Sequence, residues 1–172
     1  YTDVFMPDRL FKIRAHGLWA EKAEAVISSV DADALAAGRI DLRKPDEIPV
    51  GLLKQIKSFP VKFKAGRDSY TRSSRFAMPG LAAGPYLLEL RAKGASARFG
   101  FLVTGLGVVA KSSPGGTLLF TTDLVSGQTI KGATITAYPE RISVTTDAHG
   151  LARLGSTKNA RKLCARNGSN LA

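Results

Sequence analysis

Thr117 to Leu124 (TLLFTTDL), a reversal at Ser126-Gly127-Gln128, and Lys131 to Tyr138 (KGATITAY) form the stretch that decides the fold. It is flanked by Gly105 to Lys111 (GLGVVAK) and by Thr145 to Leu154 (TTDAHGLARL). Each segment is short, rich in Val, Ile, Thr, Phe and Tyr, and bounded by Gly, Asp, Ser or Pro, the pattern of short antiparallel strands. None has helical periodicity. Ala133, Ile135 and Ala137 alternate with Thr134, Thr136 and Tyr138, so one face is apolar and the other mixed. Asp123 to Gly127 and Asp147 to Gly150 read as turns, with Asp side chains that bond their own backbone and glycines that tolerate positive φ. Gly132-Ala133 reads as the start of a strand that a neighbouring backbone approaches closely. A small β-sandwich follows, with one buried face per sheet.

These residues also carry a resemblance. The order GVVAKSSPGGTLLFTTDLVSGQTIKGATITAY, then TTDAHGLARL, then KLCARNGSNLA is similar to a macroglobulin-like domain of the alpha-2-macroglobulin family, its bacterial branch in particular. The matching positions are Thr122-Asp123-Leu124, Gly127, Ile130 where the family has Val, Gly132-Ala133, Thr146-Asp147, Gly150-Leu151-Ala152, Ala165-Arg166-Asn167-Gly168 and Leu171-Ala172.

A chain of 172 residues with 44% hydrophobic content has room for two sandwiches. The expected fold is all-β: tandem antiparallel sandwiches, Ig-like or macroglobulin-like, over residues 1–105 and 106–172, with a small helical insertion at about 29–58 in the first. No run of eighteen apolar residues is present, and Tyr1-Thr-Asp-Val is not a signal peptide. Without an initiator Met, and ending on what reads as a strand from Lys162 to Ala172, the chain is expected to be a piece of a larger protein.

In the first half, Arg9 to His16 (RLFKIRAH) reads as the first strand, with Leu10, Phe11 and Ile13 apolar and Trp19 capping it. Glu21 to Ile27 has a helical composition, but the resemblance implies a strand, expected over Ala23 to Ser28. Asp31 to Gly38 has an Asp cap and a Gly stop, hence a short helix. Val50 to Ile56 offers a second helical face through Leu52, Leu53 and Ile56. The insertion is expected to cover one end or edge of the first sandwich. Phe59, Val61 and Phe63 alternate with Pro60, Lys62 and Lys64 as a half-buried strand. Arg67 to Arg75 is polar, a loop or short edge strand. Tyr86, Leu88 and Leu90 share one face of a strand entered through Gly84-Pro85, with Leu87, Glu89 and Arg91 on the other, and a hairpin at Lys93-Gly94-Ala95 leads into Ser96 to Thr104.

The net charge is +11, from seventeen Lys and Arg against eleven Asp and Glu up to Gly105, and eight against three thereafter. Arg43-Lys44, Arg161-Lys162 and the alternation Lys62, Lys64, Arg67 are the closest basic groupings, and no strand pairs aromatics with flanking Arg, so no nucleic-acid partner is expected. His16 and His149 lie in no ligand-spaced cluster, and Asp31, Asp33, Asp46 and Glu47 lack a calcium-loop pattern. No nucleophile elbow, phosphate loop or dinucleotide fingerprint is present. No catalytic, cofactor-binding or metal site is expected, and the chain does not read as an enzyme. The single cysteine, Cys164, reads as a buried structural thiol. It is followed by Ala165-Arg166-Asn167, whereas the family's thioester is formed from Cys-Leu-Glu-Gln or a close variant.

What the resemblance implies is a scaffold stretch of a large exported inhibitor that traps proteases after a bait segment is cut. Its partners would be neighbouring domains of the same chain and the proteases trapped by the full-length protein. The location would be periplasmic or cell-envelope, with membrane contact only through an anchor outside this stretch. Two alternatives are an Ig-like adhesin or surface-binding module using edge strands or loops, and a carbohydrate- or wall-binding module. The scattered Trp19, Tyr70, Tyr86 and Tyr138 do not make the aromatic row the last would need.

Overall fold

The computed structural model describes residues 3–17, 20–65, 72–156 and 162–172. Fifteen strands and one short helix, α1 (Ala32–Ala36), occur among them. The first sandwich holds β1 (Asp3–Phe5), β2 (Phe11–Gly17), β3 (Lys22–Val30), β4 (Leu53–Lys62), β5 (Lys64–Ala65), β6 (Arg72–Met78), β7 (Gly84–Ala92) and β8 (Ala95–Val103). A five-stranded sheet in the order β1-β8-β7-β3-β4 faces a three-stranded sheet in the order β2-β6-β5. All pairings are antiparallel except β1 with β8.

Between the sheets lie Ala25, Ile27, Met78, Tyr86, Leu88, Phe101 and Val103. Phe101 is the hub, with Phe5, Phe11, Tyr86 and Phe99 at centroid distances between 5.6 and 5.8 Å. That range is the favourable one for offset and edge contacts between rings. The Tyr86 hydroxyl leaves this cluster to donate to the Ala82 carbonyl at 2.9 Å.

The second sandwich is built of β9 (Leu106–Ser113), β10 (Gly116–Asp123), β11 (Thr134–Tyr138), β12 (Ile142–Thr145), β13 (Leu151–Leu154), β14 (Lys162–Asn167) and β15 (Asn170–Leu171). Sheet β13-β10-β9 faces sheet β12-β11-β14-β15 over Leu106, Leu119, Ile135, Ala137, Ala152, Leu154 and Ala165. Two buried hydroxyls tie its crossing loop: Thr121 and Thr146 donate to the Ile130 carbonyl at 2.7 and 2.8 Å.

Several expectations need correction. Arg9–His16 contributes the second strand, not the first, and its inward face is Phe11, Ile13 and Ala15, while Leu10 is 77% exposed. Trp19 lies outside the described residues. The helix expected at Val50 to Ile56 does not form: only a 3-10 turn at Val50–Leu52 precedes β4, because Leu53–Lys62 pairs along β3 and the sheet overrides a weak helical period. Arg72–Arg75 is neither loop nor edge; it lies in β6, the middle strand of its sheet, with Arg72 and Ser73 paired on both sides and Ser74 and Arg75 paired to β2, and residues 67–71 are outside the description. Gly132 is needed for its conformation more than for space: its N–H donates to the Thr146 carbonyl at 2.9 Å, but an added Cβ would meet nothing, and it adopts φ +77° in a turn before β11. The terminal stretch is a hairpin that reverses at Gly168, φ +58°, not one strand. By contrast, β3 is a strand and runs longer than expected, and both faces of β7 are as read.

The insertion covers a face, not an edge. Val30, Ala34, Ile40, Leu42, Ile48 and Leu87 form a second cluster on the outside of the five-stranded sheet, with Leu102 beside it. Gly100 of β8 lies directly beneath this strap, where a Cβ would sit 2.2 Å from the Leu42 carbonyl oxygen. Gly100→Ala should therefore destabilise the protein by about 2–3 kcal/mol. Gly51→Ala, where an added Cβ meets nothing, should stay within about 0.5 kcal/mol; urea unfolding of the two variants checks the contrast.

The turn carboxylates give an acid limit. Asp123 accepts from the Ser126 and Val125 backbone N–H at 2.7 and 3.0 Å, and Asp147 from Leu151 and His149 at 2.9 and 2.8 Å. These bonds, from Ser126 foremost in one case and Leu151 in the other, hold both carboxyls below their ordinary value. Their contribution is present above the unfolded carboxylate range, about 3.9, and is lost as pH falls through the lowered folded values. Asp123→Asn with Asp147→Asn should flatten the loss of stability below that pH in acid titrations followed by circular dichroism.

Candidate functional site at the junction of the sandwiches

Helix α1 is short because its sequence makes it so. Asp31 caps it by accepting from the Ala34 N–H at 2.6 Å, and Gly38, φ +71°, ends it. Its alanines are small enough for two contacts at once. Ala34 is fully buried against the strap and the outer face of β7. Ala36 meets Cys164 and Leu171 of the second sandwich, with Leu35, Leu102 and Tyr138 around them.

Polar groups from β14 complete the wedge. Lys162 Nζ donates to the Leu35 carbonyl at 2.5 Å, a cation at a helix C-terminus where carbonyls lack partners. Arg166 pairs with Asp33 at 2.7 Å. Both partners of that pair are largely exposed, so it contributes at most about 1 kcal/mol. Nearby, the guanidinium of Arg43 forks onto Asp41 and its side-chain hydrogen bonds lower that carboxyl to about 2.

The connection is pinned from both sides. The Thr104 N–H donates to the Phe5 carbonyl at 2.9 Å, and the Thr104 hydroxyl accepts from Leu106 N–H at 3.0 Å. Gly105 N–H donates to the Asn170 side chain at 2.9 Å, and its carbonyl accepts from Leu124 N–H at 2.7 Å. A linker with its buried polar groups satisfied in this way has little freedom to hinge.

Two clefts flank the wedge. One of about 540 Å³ is lined by Leu35, Ile40, Arg43, Leu102, Lys162 and Leu171 among others. The other, of about 740 Å³, has Asp33, Arg39, Thr136, Arg141, Ser143 and Arg166 on its wall. Cys164 touches both. Burial pushes its thiol up from the ordinary value, only partly countered by Lys162 and Arg166, so it is a poor nucleophile at neutral pH. Among the described residues no group of three or more His, Cys, Asp or Glu is placed to hold a metal ion. His149 sits in its exposed turn and His16 on the outside of the three-stranded sheet, far apart in topology.

Sequence reading named none of this junction as a site. Asp33, Lys162, Arg166 and Asn170 look like ordinary surface residues until α1 and the terminal hairpin are brought together. The arrangement packs α1 against the terminal hairpin and satisfies the backbone of the linker between the sandwiches.

No protein-family profile and no curated protein matches the chain. Solved structures do. A native α2-macroglobulin structure from Escherichia coli spanning domains NIE–MG1 has a TM-score of 0.75 at 17% identity, covering 99% of this chain and 91% of that one. One spanning MG0–NIE–MG1 gives 0.77 at 19% identity, with 99% and 62% covered. A Salmonella α2-macroglobulin mutant gives 0.71 at 18% identity, over 97% of this chain and 11% of that one. The chain thus has a macroglobulin-like fold, and it spans most of the first of these chains and about a ninth of the Salmonella one.

If the junction is held as described, Leu171→Ala should leave far-UV circular dichroism unchanged while speeding modification of Cys164 by a thiol reagent about tenfold or more, since a buried Leu truncation weakens its site by about 2–5 kcal/mol. An unchanged rate would show that the thiol reacts by a route other than opening of this contact.

Proposed function

We propose that this chain is a non-catalytic scaffold stretch of a bacterial α2-macroglobulin-like protease inhibitor, with residues 1–105 and 106–172 as its two domains. On that reading they stand where the NIE and MG1 domains stand in the E. coli fragment. The observation that carries it is the likeness over nearly the whole chain to a structure of those two domains. Chains with this fold at the same low identity in a second source, Salmonella, support it.

The geometry suits a spacer. A trap that rearranges when a bait is cut needs parts that move as rigid units between parts that do not, and this junction is closed by a wedge, an apolar contact and a pinned linker. The outer face of sheet β13-β10-β9 supplies a place for a neighbour: Val109, Phe120 and Leu151 stand in one row across three strands, with Leu118 next to them. Val109 is 60% exposed, and such a contiguous apolar row is what an adjoining domain of the same chain would cover. The full-length protein would act in the periplasm or cell envelope, and its trapped proteases would never touch chemistry in this stretch.

The test uses the full-length protein and an unrelated protease. Cleavage in one exposed segment, followed by protection of the protease's activity on a small peptide but loss of it on a large protein substrate, is the expected result. Equal activity on both substrates, with the parent degraded piecemeal, would remove the inhibitor reading.

A further inference from the structure

The three-stranded sheet β2-β6-β5 presents its outer face to solvent, and strand pairing gathers there cations that are dispersed in sequence. Arg14 of β2 stands directly opposite Arg75 of β6, and Lys64 of β5, Ser73 of β6 and His16 of β2 form the next row. Lys62 completes a shallow depression of about 450 Å³ with Arg14, His16, Lys64, Ser73 and Arg75. Lys12, exposed and two residues before Arg14, lies on the same face of β2. Among the described residues no Asp or Glu lines the depression, and the ion pair on this sheet, Arg72 with Glu21, uses neither Arg14, Lys64 nor Arg75. Like charges set directly opposite one another on a sheet are destabilising, and an external anion over this face would relieve them.

A second feature selects the kind of anion. Leu10 immediately precedes β2, follows the alternation of Lys12, Arg14 and His16, and is 77% exposed, the highest value among the large exposed apolar side chains. A flat basic array with an apolar side chain at its end is the chemistry of an interfacial membrane contact, where cations meet headgroup phosphates and the apolar group enters the acyl boundary. Among the described residues the face carries none of the stacking aromatics that a single-stranded nucleic-acid platform uses. We propose that the outer face of sheet β2-β6-β5 docks on an anionic lipid bilayer through Lys12, Arg14, Lys62, Lys64 and Arg75, with Leu10 as the inserted residue. This inference stands independently of the inhibitor reading.

Vesicle co-sedimentation of the whole chain tests it, with phosphatidylglycerol–phosphatidylcholine vesicles against phosphatidylcholine alone. Binding is expected to the first and not the second, and to be released as salt rises from about 0.05 to about 0.5 M. Each surface cation is worth about fivefold in partitioning, so R14Q/K64Q/R75Q should weaken it about a hundredfold. Leu10→Ser should weaken it about tenfold. K131Q/R141Q/R153Q makes the same charge change on exposed positions of the second sandwich and should stay within about threefold, which separates a face from bulk net charge. Equal binding to both vesicle types, equal losses in the two triple variants, or tighter binding to a single-stranded oligonucleotide than to anionic vesicles at the same salt would each overturn the proposal.

Discussion

Leu87 and Leu102 face away from the core of the first sandwich, and most of the molecule's arrangement follows from the need to cover them. An antiparallel sheet in a two-layer fold ordinarily leaves its second face to water. Here that face is apolar around Gly100, and the strap from Asp31 to Leu52 lies on it so closely that its backbone touches β8. The strap in turn carries α1, and α1 carries the second sandwich. Covering one sheet face therefore fixes where the next body sits, without any extensive interface of its own.

The junction mixes forces of different kinds. Ala36, Cys164 and Leu171 exclude water; Asn170 and Thr104 satisfy the linker's backbone; Lys162 occupies a helix end. The apolar and backbone groups set the angle, because their removal would leave cavities or unsatisfied donors. The exposed Arg166–Asp33 pair adds direction more than strength. The contact is compact, and it is backed by a covalent connection only a few residues long.

How much of this the sequence discloses depends on the range over which each signal acts. The second sandwich was legible because its signals are local: Asp123 and Asp147 bond their own turns, and Ala133, Ile135 and Ala137 alternate with polar neighbours on one strand. The first was legible where alternation was clean, as in Tyr86, Leu88 and Leu90. It misled where a local preference ran against a distant partner. Leu52, Leu53 and Ile56 sit at helical spacing, yet β3 recruits Leu53 onward as a strand. Arg72 to Arg75 is polar throughout, yet it fills the centre of a small sheet because only Ser74 and its inward neighbours need be small or apolar. The junction left no trace, since Asp33 and Arg166 are 133 residues apart. The basic face was equally hidden: the cations lie on four strands, and their spacing along the chain resembles that of any charged surface.

The parallel pairing of β1 with β8 joins Asp3 to Phe101 and Phe5 to Val103, and Phe5 also receives the N–H of Thr104. The first strand thus has no partner until the eighth exists. During synthesis on a ribosome, β1 must wait while about a hundred residues emerge, paying the entropy of that closure only at the end. Phe5 and Phe11, whose rings stack at 3.9 Å in the finished fold, lack Phe101 between emergence and closure. The early chain is consequently at its stickiest before Val103 appears, and Thr104, where the first sandwich ends and the second begins, is also the residue at which the first becomes able to shut.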